Sequence, residues 1–175
     1  MSTNWRISSF NGILLAAYFI PTWTIVAFRI MISPIHGLYE LPNIAVGLFI
    51  SDHVHLAATG AVRAAWLLAL GKLTVVAFFT IFAFFISHAS IRKTGGCDEA
   101  LAMALAIGSV ISFASMVLAS TVGETGALKL HATEFLLLLG TAIVLLVERP
   151  VKQQVYHGAA SDALTLQPSQ LAQNR

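Results

Sequence analysis

Four long apolar stretches, separated by short polar breaks, organise this chain: Asn11 to Ser33, Arg63 to Ser87, Asp98 to Thr121, and Ala127 to Val147. Each reaches the about 20 residues that a helix needs to cross a bilayer. The pattern predicts an all-α integral membrane protein, a four-transmembrane-helix bundle in one domain over residues 1–157. Pro21 removes a backbone donor inside the first stretch and predicts a kink there. Asp98 and Glu99 suit a helix start after the breaker Gly95-Gly96, and Pro150 in "VERPVK" stops the fourth helix. Arg6 precedes the first run, which continues through "LLAAYFIPTWTIVAF" without a small-residue cleavage site and so predicts a retained span.

One long connection, residues 34–62, joins the first two spans. Its run from Ile44 to Ile50 is too short to cross a bilayer and predicts an interfacial or re-entrant segment. A fifth span over 43–62 would leave almost no turn before Trp66. Basic residues then set the orientation. Arg6, Arg92, Lys93, Arg149, Lys152 and Arg175 share one side, against Arg63 and Lys129 on the other. Both termini are therefore expected to be cytoplasmic, with the 34–62 loop outside. The tail from Gly158 to Arg175 lacks apolar periodicity and is expected to be disordered.

Composition agrees with the pattern: 57% of the 175 residues are hydrophobic and 10% charged, and the mean hydropathy is +0.81. No soluble domain of this size could hide that much apolar surface. The formal net charge of +2 is too small, and its charges too scattered between apolar runs, to argue for nucleic acid. Cys97 stands alone, which excludes an intramolecular disulfide, a thiol pair or a multi-cysteine metal cage.

The informative residues are the polar ones inside the spans. Lys72 sits in "LALGKLTVVAFF", about 13 Å along the helix from Arg63, behind small residues Ala61, Ala65 and Ala69 that let another helix approach. In the fourth span His131, Glu134 and Thr141 share a stripe with Ala127 and Leu138. Glu134 lies at a depth matching Lys72, and an unpaired charge at the membrane centre costs about 3 kcal/mol or more, so the two are expected to face a common interior. The first span offers Asn11, Tyr18, Thr22, Arg29 and Ser33 on one stripe, with Arg29 expected to seek the same carboxylate or a ligand. The expected intramembrane cluster is thus Arg29, Lys72, His131, Glu134, Tyr18 and Thr22. Its two cations against one carboxylate could hold an anion, a lipid head group or a quinone carbonyl, or serve as a structural lock. The third span's Ala104, Gly108, Ser112, Ser115 and Ala119 read as a packing face.

The loop sequence "SDHVHL" places His53 and His55 on one side of an extended segment with Asp52 opposite, and His36 lies nearby. These are weak metal candidates, since no third ligand is fixed by spacing. Bis-histidine haem ligation needs two histidines at one depth. His88 and His131 lie at opposite faces, which leaves only His131 with His53 or His55. No nucleophile motif, phosphate loop or paired-carboxylate site is present, so the sequence leans away from an enzyme. Three classes of function fit, in this order: a non-catalytic accessory or assembly subunit of a larger membrane complex, docking through surfaces such as "AFFTIFAFFIS"; a small transporter or channel-like protein using the charged cluster; and a metal- or haem-binding redox protein. The bacterial style of the first span favours a bacterial inner membrane.

Overall fold

The computed structural model describes residues 7–88 and 96–148. The expected tail from Gly158 and the cations Arg6, Arg92, Lys93, Arg149, Lys152 and Arg175 lie outside the described residues. Among the described residues every regular element is helical. Four helices are long and apolar enough to cross a membrane: α1 (Ile7–Ile32), α4 (Ala58–Ser87), α5 (Gly96–Val122) and α6 (Thr125–Glu148). They cover the four expected stretches. Between α1 and α4 lie two short helices, α2 (Pro34–Leu38) and α3 (Ile44–Phe49), and a π-helical turn over Ile50–Val54.

The long helices alternate in direction, α4 packing on α1, α5 on α4, and α6 on α5, with a lighter contact between α1 and α6 closing the ring. One end of the bundle, the loop end, carries α2 and α3. At the other, the terminal end, the Glu148 side chain accepts hydrogen bonds from the backbone N–H of Ile7 and Ser8, both at 2.9 Å. A carboxylate there satisfies donors that a helix start leaves open, and it ties the beginning of α1 to the end of α6.

The small-residue face of α5 is buried as its spacing predicts, with Ala104, Ser112, Ser115 and Ala119 all inside. So is the α6 stripe from Ala127 through His131, Glu134, Leu138 and Thr141. A Cβ on Gly108 would stand 3.3 Å from Leu138 and 3.6 Å from Val75, so α4, α5 and α6 meet in one layer at that glycine. On the terminal side of it the core is aromatic and aliphatic: Phe19 stacks on Phe79 at 5.6 Å, beside Phe82, Leu101 and Leu105. Exposed positions on the long helices carry the large apolar side chains Leu14, Ile25, Leu67, Val110 and Leu146, a surface suited to hydrocarbon.

The 34–57 connection does not lie flat beside the bundle. Ala45 of α3 packs with Ala119 and Ala127 at the ends of α5 and α6, and Leu38 of α2 packs against Ala27, Ile30 and Ala65. Close approach demands glycine here: a Cβ on Gly37 would come within 2.7 Å of the Ile30 backbone, and one on Gly47 within 2.9 Å of the Leu38 carbonyl. The segment is a plug seated over the loop end.

Candidate functional site

One turn from the Gly108 layer, toward the loop end, the interior turns polar. Each long helix contributes one residue: Trp23 from α1, Lys72 from α4, Ser112 from α5 and Glu134 from α6. Helix contacts fix this register. Val75, Gly108 and Leu138 meet below it, a Cβ on Gly71 would stand 3.2 Å from Ile111, and Phe113 touches Phe135 at 5.5 Å between ring centres. Ser112 therefore stands level with Lys72 and Glu134, and Ser115 level with His131.

Lys72 is 2% exposed. Its side chain leans toward the start of α4, as helical side chains do, but it stops inside the protein. There Nζ donates to Asn43 Oδ1 at 2.9 Å, and the Asn43 amide in turn donates to the Gly37 carbonyl at 2.9 Å. The plug thus supplies the acceptor that water would supply to a lysine snorkelling to the surface. On its other side the ammonium lies 5.3 Å from the centre of the Trp23 ring, a cation–π distance.

Trp23 then links the cation to the acid. Its indole Nε1 donates to Glu134 Oε1 at 3.2 Å, while Glu134 Oε2 lies 3.1 Å from His131 Nδ1. A carboxylate only accepts, so Nδ1 carries the shared hydrogen and, in the neutral imidazole, Nε2 is left as an acceptor. Lys72 and Glu134 face a common interior, yet they do not form an ion pair within 4 Å; Trp23 stands between them. The chain Gly37, Asn43, Lys72, Trp23, Glu134, His131 crosses the plug and three of the four long helices. Among the described residues three buried side-chain atoms lack a hydrogen-bond partner. Two of them, Ser112 Oγ and His131 Nε2, belong to this region, and the third, Ser8 Oγ, lies at the far end of the bundle.

Of the remaining expected members, Arg29 and Thr22 bond outside the layer, while Tyr18 stays within electrostatic reach of Glu134. Arg29 is on the surface, where its guanidinium Nη1 donates to Glu40 Oε2 at 3.2 Å. The last turn of α1 ends at the plug, which offers a nearer carboxylate than Glu134. Tyr18 is 40% exposed, and the Thr22 hydroxyl bonds back to the Tyr18 carbonyl at 2.6 Å, satisfying itself within its own helix. The interior face of α1 is instead Gly12, Leu15, Phe19, Trp23 and Ala27. Without Arg29, the surplus of positive charge expected in the interior is gone. Lys72 balances Glu134, and the layer is neutral when His131 is neutral.

His36, Asp52, His53 and His55 are all exposed on the plug. His53 stacks on Phe49 at 4.9 Å, and His55 takes a left-handed conformation at φ 50° that closes the π turn. Among the described residues no three side chains of His, Cys, Asp or Glu gather as a metal site would require. His131 is buried beside Glu134, whereas His53 and His55 are on the surface. Cys97 is buried in the first turn of α5.

Asn43 and Trp23 are the two members that sequence reasoning passed over. No family model, curated protein or solved structure matches the chain. Its function has to be argued from this layer.

Proposed function

We propose that this is a small proton-translocating membrane protein, a transporter or channel-like protein whose working site is the layer of Lys72, Trp23, Glu134 and His131. The observation that carries the reading is the hydrogen-bonded His131–Glu134 pair, buried in the loop-end half of the bundle beside a buried lysine. Ionisable groups are costly at that depth, and chains of acid and histidine there serve as proton relays. A proton taken up by His131 turns the Nδ1 contact into an ion pair with Glu134 and leaves the layer with a net positive charge. Release restores neutrality, so one proton toggles the electrostatics of the whole interior. The anion, lipid head group or quinone considered for this region would act on the protonated state. In this reading both termini are cytoplasmic, the plug faces outward, and the protein sits in a bacterial inner membrane.

Purified protein in liposomes with a pH-sensitive dye inside tests this. Under an imposed potential the wild type should acidify the lumen faster than protein-free vesicles, and Glu134→Gln should remove that excess while the helix content stays unchanged. Flux equal to that of empty vesicles would end the reading.

A second reading, the accessory or assembly subunit, is favoured by an open apolar groove of about 560 Å³ between α1 and α4. Its walls include Ala16, Ala17, Pro21, Ala83 and Ser87, small residues that a partner helix could approach closely. Native mass spectrometry of gently extracted membranes separates the two: a large assembly supports the subunit, a small particle the transporter.

A further inference from the structure

The two unpartnered atoms beside Glu134 point to something the side chains alone do not provide. Several hydroxyls on these helices satisfy themselves. Thr22, Thr74, Thr80, Ser87, Thr133 and Thr141 each donate to the carbonyl one turn back in their own helix. Ser112 does not, although its exposure is 0%. It lies on the interior face of α5, one turn from Gly108 and level with Glu134. His131 Nε2, one turn nearer the loop end on the facing helix, is equally buried and equally unpartnered. Each such group left bare in hydrocarbon-like surroundings costs free energy comparable to that of a lost hydrogen bond. A donor is needed at Nε2, and a hydroxyl partner is needed at Ser112.

We infer that an internal water molecule occupies the α5–α6 interface, donating one hydrogen to His131 Nε2 and sharing a second hydrogen bond with Ser112 Oγ. Buried waters sit where two to four otherwise unpaired polar groups converge, and they bridge groups too far apart to bond directly. The other charged and titratable groups around His131 and Glu134 are already engaged or open to the surface: Glu134 with Trp23 and the Nδ1 side of the ring, Lys72 with Asn43 and the Trp23 face, and Tyr18, which interacts with Glu134, half-exposed on α1. The water is therefore the group that can exchange a proton with His131. A proton arriving on it as hydronium passes to Nε2, breaking one O–H bond, forming one N–H bond and leaving the water in place, with Glu134 holding the imidazolium from the other side. The site itself rests on the two buried, unpartnered atoms; its use as a proton port rests on the proton-translocating reading above.

Infrared difference spectra of the full-length protein in nanodiscs, taken in H₂¹⁶O and H₂¹⁸O, read this water through its O–H stretch. An isotope-sensitive band is expected in the wild type and in Thr133→Ala, and its loss in Ser112→Ala, with the folding of each variant checked by its helix content. An absent band, or one that survives Ser112→Ala in a folded protein, would overturn the inference. The liposome assay keeps the two claims apart. A band without proton flux upholds the water site and removes the transport reading, whereas flux without a band upholds transport and removes the water.

Discussion

Toward the terminal end the four helices meet through Phe19, Phe79, Phe82, Leu101 and Leu105; one turn past Gly108 the same helices meet through Trp23, Lys72, Ser112 and Glu134. In lipid these two regions are not equivalent. Hydrocarbon solvates an exposed Phe nearly as well as another Phe does, so the aromatic half gains mainly by close packing. Nothing in the bilayer core can replace Asn43 for Lys72 or Trp23 and His131 for Glu134. The polar layer therefore fixes which helix stands beside which, and the apolar half fills the space that this arrangement leaves.

Several substitutions would break that contrast if it is mistaken. Glu134→Leu leaves Lys72 as an uncompensated buried charge and should cost about 3–5 kcal/mol, the range for breaking a buried pair, in unfolding titrations in mixed micelles. A loss under about 1 kcal/mol would put the layer on a par with a surface contact. Asn43→Ala removes the acceptor of the Lys72 ammonium and should cost about 1–3 kcal/mol, with faster amide hydrogen exchange across residues 37–47 as the plug loosens. Unchanged exchange would mean the plug is held by packing alone. Phe79→Ala, worth about 3–5 kcal/mol in a soluble core, should fall to about 1–2 kcal/mol here because lipid already solvates the ring in the separated helices. A full soluble-range loss would show that the apolar half is the stronger organiser. Arg29→Ala, which breaks only the exposed contact with Glu40, should stay within about 1 kcal/mol of the wild type.

Periodicity made much of this legible. The stripe of Ala127, His131, Glu134, Leu138 and Thr141, and that of Ala104, Gly108, Ser112, Ser115 and Ala119, are the buried faces of their helices, because small and polar residues at helical spacing have few reasons to face lipid. The same reasoning failed on α1. Its polar residues also line up, but Thr22 can bond its own backbone and Arg29 can reach Glu40, so neither needs the interior. Trp23 was hidden because an indole amid "YFIPTW" looks like any aromatic meeting lipid; only the position of Glu134 gives its N–H a purpose. Asn43 lies in a turn with no period to place it, and it enters the site through long-range folding of the plug.

The most direct test of the coupled layer is a double-mutant cycle on Lys72→Leu and Glu134→Leu, read from unfolding free energies in mixed micelles. If the two charges offset each other across Trp23, the double variant should be more stable than the summed single losses by well over 1 kcal/mol, beyond the about 0.5 kcal/mol scatter of independent sites. Additive losses would contradict the account, because Lys72 and Glu134 would then be two separate buried charges and not one unit.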